Sequence, residues 1–171
     1  MSEWIRNIRR NHALEHATVQ LMIARLGPTF RLAGRASHDG FFIFGDIPHD
    51  VLTECAHDAL SRLKGGESYW AITPLCGTNI VVTGVLSSLA TMAVMQSGIR
   101  KGKLDKAITA SMLAVVVARP LGRWLQRYTT SPDLERTEIV TVEQRSQRFF
   151  KVVTGQGARG SAIPDLISIN L

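Results

Sequence analysis

Residues 68–99 contain no Asp, Glu, Lys, Arg or His, an unbroken run of 32 positions. A soluble helix of comparable length shows a polar face, because one of its sides meets water. A stretch this long without charge has to be buried, either in a protein core or in lipid. Within it, residues 80–99 read IVVTGVLSSLATMAVMQSGI, and about 20 apolar residues cross a bilayer core. The small residues Gly84, Ser87, Ser88, Ala90 and Ala93 let another helix approach closely. Asn79 or Thr78 is expected to cap the N-terminus. The segment reads as a transmembrane helix; the alternative is a buried helix of a soluble core.

The run divides the charge of the whole chain. Residues 1–67 hold eight basic and eight acidic side chains, whereas residues 100–171 hold twelve and six, so the net +6 lies wholly behind the run. All five histidines, His12, His16, His38, His49 and His57, lie ahead of it. The pattern is a histidine-bearing head, an apolar middle and a basic tail. Two cysteines, Cys55 and Cys76, are too few for a disulfide scaffold. The apolar content excludes a disordered chain. The basic residues are dispersed without interleaved aromatics, which argues against nucleic-acid binding. The opening MSEWIRNIRRNH is polar, so no signal peptide is expected.

After the run, RKGKLDK at 100–106 forms a short basic loop, and residues 107–118 form a second apolar stretch ending at Arg119-Pro120. Twelve residues are too few to span. With Lys106 and Arg119 snorkelling, and Leu121, Trp124 and Leu125 extending the stretch, a tilted or interfacial crossing results. Trp124 and Tyr128 suit the membrane–water boundary. The expected middle domain is a transmembrane helical hairpin over 79–128, in a multi-pass protein of the inner (cytoplasmic) membrane. The basic loop favours placing that loop inside, but the unsignalled head favours a cytoplasmic head, and the second is the expectation adopted. The bilayer is the expected partner, together with other membrane subunits or a second copy of the chain.

The fold class expected is α+β, with an α-β-β-α-β head over 1–78. Residues 2–26 show apolar spacing in steps of three and four through Ile5, Ile8, His12, Glu15, His16, Val19, Ile23 and Leu26, with Ser2 as cap and Gly27-Pro28 as stop. Residues 30–37 and 41–45 read as strands joined across His38-Asp39-Gly40, a hairpin signal. Pro48 opens a helix over 49–64 with Leu52, Cys55, Ala56, Ala59, Leu60 and Leu63 as its buried stripe. Residues 68–72 read as a third short strand. Over 129–171 a single further strand is expected at 137–142, able to pair with the head's sheet, then a glycine-rich mobile stretch at 155–161 and an apolar ending at 164–171.

The chemistry sits at His12-Ala13-Leu14-Glu15-His16, an H-x-x-E-H sequence in the inverzincin order. On a helix His12 and His16 lie one turn apart, so both imidazoles reach one metal ion. Glu15 is then placed to act as general base. The competing reading is a buried, hydrogen-bonded His/Glu/His cluster without metal. Spacing fixes no third ligand. Cys76 is the favoured candidate, because a thiolate suits zinc; Glu67 is the runner-up. His49 and His57 are expected at the surface or behind a ligand, and His38 in solvent. A sulfur further than roughly 5 Å from both imidazoles would end the case for Cys76, since zinc–sulfur bonds are about 2.3 Å.

NHALEHATV at 11–19, LAGRAS and GFFIFGDIP within 32–48, CGTN at 76–79 and RPLGRWLQRYTTSPD at 119–133 resemble an uncharacterised bacterial membrane-protein family of unknown function. The chain is also distantly similar to a suspected metal-dependent membrane family that pairs HGAEH with HPRCGT. That resemblance implies functional roles for His12, Glu15, His16 and Cys76. It departs at Thr73, where the second family has histidine. Two functions follow as expectations: a membrane-anchored zinc hydrolase or peptidase, and a non-catalytic accessory or assembly subunit of a larger membrane complex.

Overall fold

The computed structural model describes residues 2–27, 29–98 and 102–157. Four helices, α1 (Glu3–Leu26), α2 (His49–Lys64), α3 (Gly77–Gln96) and α4 (Lys103–Thr129), accompany four strands, β1 (Leu32–Ser37), β2 (Gly40–Gly45), β3 (Thr137–Ser146) and β4 (Phe149–Gln156). The strands form one antiparallel sheet in the order β1-β2-β4-β3. The class is mixed α+β.

α1 and α2 cover one face of the sheet. Phe41 and Ile43 of β2 alternate inward with Phe150 and Val152 of β4. They meet Leu14, Ala17 and Met22 of α1 and the stripe Leu52, Cys55, Ala56, Ala59, Leu60 and Leu63 of α2. That α2 stripe coincides with the one its spacing predicts. On α1 the spacing predicts a broader face, and the structure divides it. Val19 joins the core, with Ile23 and Leu26 packed against it, whereas Ile8, His12, Glu15 and His16 line an open cleft. On the outer face Phe42, Phe44 and Phe149 stack, with centroids 5.4 and 4.7 Å apart.

Ser37 pairs with Gly40 across the His38-Asp39 turn. Gly40 has φ +143°, and a Cβ there would lie 1.9 Å from the Val152 carbonyl oxygen. Only glycine lets β4 approach this closely.

Two strand expectations are corrected. Residues 68–72 do not form a strand: Ser68–Ala71 is a single 3-10 turn. The Glu67 carboxylate accepts hydrogen bonds from Tyr69 Oη at 2.7 Å and Trp70 Nε1 at 2.9 Å, and its carbonyl accepts from Trp70 N. These local bonds close the segment on itself and leave no ladder to extend. Behind α4 there are two strands rather than one. β3 runs to Ser146, past the expected 142, and β4 returns through Gln147-Arg148. That connection holds neither glycine nor asparagine, so it lacks the residues that mark a tight hairpin. Part of the stretch expected to be mobile, up to Gln156, is strand. Residues 158–171, including the apolar ending, and Arg100 and Lys101 of the basic loop lie outside the described residues.

α3 and α4 run antiparallel. Thr91 Oγ1 meets Ser111 Oγ at 2.7 Å, and Gln126 Nε2 donates to Asn79 Oδ1 at 3.1 Å. Helix α3 starts three residues earlier than expected, with Cys76 rather than Thr78 or Asn79 at its cap. Among the described residues, α3 alone is long and apolar enough to cross a membrane, and none of its side chains is buried. Helix α4 continues through Pro120 to Thr129 without a break.

Candidate metal centre

His12 and His16 are consecutive turns of α1, and their rings lie 4.3 Å apart. The Nδ1 atom of His16 is 2.7 Å from the Ala71 carbonyl, and Nδ1 of His12 is 3.1 Å from the Thr129 carbonyl. A carbonyl oxygen only accepts, so each Nδ1 carries a proton, and a ring in its neutral form keeps its lone pair on Nε2. The His16 Nε2 atom is buried and has no hydrogen-bond partner. His12 Nε2 faces Cys76 Sγ at 3.6 Å. One donor atom from each of His12, His16 and Cys76 lies within 4.8 Å of the others. A tetrahedral ion bound at ordinary zinc distances separates its nitrogen and sulfur ligands by about 3.6 Å.

Cys76 reaches the helix α1 histidines because it caps α3. The Thr78 N–H donates to its sulfur at 3.4 Å. Burial pushes the Cys76 thiol up, but the nearby His16 imidazole and the Thr78 N–H outweigh it, and the net shift is downward. A thiol shifted this way gives up its proton more readily, and the thiolate is the ligating form.

Glu15 lies beside this cluster, 7% exposed, with Oε2 3.8 Å from His16 Nε2. Burial raises its carboxyl to about 7, against the opposing charge of His12. At neutral pH the side chain can therefore hold or release a proton. The strand opposite is Gly34 of β1, where a Cβ would sit 1.8 Å from Glu15 Oε1.

Several residues that spacing did not single out build the surroundings. Gln126 of α4 is fully buried. Its Oε1 accepts from Thr73 N at 2.9 Å, and its Nε2 donates to the Thr73 carbonyl at 3.0 Å. Asn79 Nδ2 donates to the Pro74 carbonyl at 2.9 Å. A Cβ on Gly122 would lie 2.1 Å from Asn79 Oδ1, so glycine admits that side chain against α4. The segment carrying Cys76 is thus held from both sides. Gln126 and Gly122 fall inside the RPLGRWLQRYTTSPD motif, which was their signal in the sequence. Thr73 is buried beside the cleft, with its Oγ1 accepting from Leu75 N at 3.3 Å; it does not replace the imidazole of the distant family.

The other candidates lie apart. Glu67 holds Tyr69 and Trp70. His49 Nε2 contacts the Val142 carbonyl at 3.0 Å on the outer flank of α2. His57 and His38 are exposed.

His12, Glu15, His16 and Cys76 open onto a cleft of about 1050 Å³. α1 forms its floor, residues 30–36 one wall and residues 73–80 the other. Fold and site together define an α+β head joined to a long helical pair, with a His/His/Cys cluster at the joint. The chain belongs to the family described as a domain of unknown function, DUF6391, matched over residues 7–142. This agrees with the resemblance to an uncharacterised bacterial family. An uncharacterised protein of the cyanobacterium Picosynechococcus sp. is 35% identical over 136 residues, an alignment covering 72% of this chain and 65% of that protein. The match thus covers just under two thirds of that relative's own length. No solved structure matches the chain.

Proposed function

We propose that this chain is a membrane-anchored zinc metalloprotein with hydrolase activity. The observation that carries this reading is the convergence of two imidazole Nε2 atoms and one sulfur, with both Nδ1 atoms committed to backbone carbonyls. Such outer contacts orient metal-ligating histidines and fix their tautomer. The nitrogen and sulfur donor set suits zinc. Bound there, zinc supplies Lewis-acid polarisation of a substrate carbonyl and activates water near neutral pH. His12, His16 and Cys76 would hold it beside the cleft. Glu15, with its carboxyl near 7, takes a proton from the attacking water and returns it to the leaving group.

Membrane anchoring rests on α3, whose side chains Ile80, Val81, Val85, Leu89, Met92 and Met95 all face outward. The topology of the sheet supports the return crossing by α4. β4, which follows α4, pairs with β2, which precedes α3. Ser131 N also donates to the Arg9 carbonyl at 2.9 Å. A single crossing would put these partners on opposite sides of a bilayer. The reading is therefore a multi-pass hairpin with the head and the strands behind α4 on one side, and we propose that this side is the cytoplasmic face of the inner membrane.

A second reading, an accessory or assembly subunit, is favoured by the same outward apolar side chains, which would also fit other membrane helices or a second copy. One preparation separates the two. Chain purified in mild detergent is expected to carry about one zinc per molecule, and His16→Ala and Cys76→Ser to carry at least tenfold less. Wild type without stoichiometric metal overturns the zinc reading. Metal-free chain held in fixed ratio to another membrane protein supports the second.

A further inference from the structure

β1 is an edge strand. It pairs with β2 on one side, and no described strand pairs with the other. An edge strand presents a row of backbone donors and acceptors to any extended chain laid beside it. Here that edge is also a wall of the cleft holding His12, Glu15, His16 and Cys76. The dimensions agree. The floor runs along α1 from Ile8 to Ile23, about 22 Å at 1.5 Å per residue, and the six residues of β1 span about 20 Å. Gly34 brings the strand backbone so close to Glu15 that no side chain fits between them. A chain following β1 therefore passes the carboxylate and the cluster at the middle of its length.

Charge narrows the occupant. Arg31, Arg35 and Arg148 line the same cleft and are exposed. Among the described residues Arg31 and Arg35 have no carboxylate partner, and Arg148 reaches Asp46 only at 3.5 Å between two exposed side chains.

We propose that the cleft binds an extended, acidic polypeptide segment as an added strand along β1, with its backbone carried past Glu15. This inference rests on the hydrolase reading and names its substrate class. Hydrolysis adds one water across the amide: the hydroxyl goes to the carbonyl carbon, the C–N bond breaks, and the water's proton goes to the departing nitrogen.

The test uses the full chain in detergent as Glu15→Gln, so that bound polypeptide is not consumed, with dephosphorylated β-casein as an unfolded acidic probe. Of the Leu32–Ser37 amides, those pointing away from β2 are the readout, and their exchange is expected to slow at least ~10-fold on adding casein. Arg31→Glu with Arg35→Glu is expected to weaken casein binding ~10-fold while zinc content stays unchanged. Amides unchanged by casein overturn the proposal. So do amides already protected without it, which would mean the chain covers its own edge. Equal protection by phosphatidylglycerol vesicles alone also overturns it, in favour of a lipid occupant. Zinc is measured on the same samples. Zinc-loaded chain with an indifferent β1 defeats this proposal alone, whereas protected β1 in chain lacking zinc defeats only the metal reading.

Discussion

Asp39 shows how one side chain ties the first hairpin to the strand that follows α4. Its carboxylate accepts from Lys151 of β4 and from Ser37 Oγ, the latter at 2.6 Å. The Lys151 hydrogen bond, then that of Ser37, lowers its pKa from 3.8 to about 2. The folded state thus holds the ionised form, and this stabilisation is present above pH 3.8 and lost as pH falls through about 2. The side chain is 39% exposed, so water screening keeps the gain to about 1 kcal/mol or less. Thermal unfolding of Asp39→Asn at pH 6 should show this loss, and the difference from wild type should vanish near pH 2. At this scale the sequence is most readable where a pattern is local. The H-x-x-E-H spacing places His12, Glu15 and His16 with no knowledge of the fold, since one helical turn suffices. The carbonyls that fix the two rings are not readable in this way. They come from Ala71 and Thr129, 55 and 117 residues distant, and a carbonyl looks the same in every residue.

Helix α4 works as a scaffold as well as a partner for α3. Its buried Gln126 makes three hydrogen bonds to the segment that delivers Cys76, and Thr129 beyond it supplies the carbonyl for His12. Replacing Gln126 with leucine leaves the Thr73 amide without its acceptor, at a cost of about 2–4 kcal/mol. Zinc affinity should fall about 10–100-fold, because the cysteine is no longer held against the histidines. A competition titration with a chelating dye measures this; unchanged affinity in folded Q126L would exclude a positioning role. Element by element, legibility follows the source of the stabilising bonds. α2 reads correctly to its last residue because its apolar stripe and its flanking proline and glycines are all local. The turn at Ser68–Ala71 misreads as strand because an apolar SYWA fits either form, and the carboxylate of Glu67 decides it. β4 escapes because its hairpin lacks turn residues, although Phe149, Phe150 and Val152 carry its pattern.

In the whole molecule the sheet and the helical pair constrain one another. β2 lies between β1, its neighbour in sequence, and β4, which arrives after both long helices. If the pair crosses a bilayer, both flanks of it face the same compartment. Single cysteines at Asp58 and Arg136, in a background lacking Cys55 and Cys76, should resist an impermeant maleimide added outside intact cells. One at Lys103, at the far end of the pair, should react. Opposite behaviour of Asp58 and Arg136 would exclude a hairpin. The mixed α+β class, and a strand behind the helices able to join the head's sheet, are legible in the sequence. The central place of β4 is not, because strand order depends on long-range pairing that local periodicity does not encode.

That placement also sets a timetable. A ribosome that has delivered residues 1–64 has supplied both head helices and the first hairpin, but the inner face of β2 still lacks Phe150 and Val152. The His12 ring lacks its carbonyl until Thr129 has been made, and the sheet stays open until β4 emerges. The nascent head must therefore wait, with apolar surface uncovered, while both long helices are delivered. A chain stalled before β4 should be a target for chaperones and proteases, and the His12 ring should gain its Thr129 contact only when synthesis is well advanced.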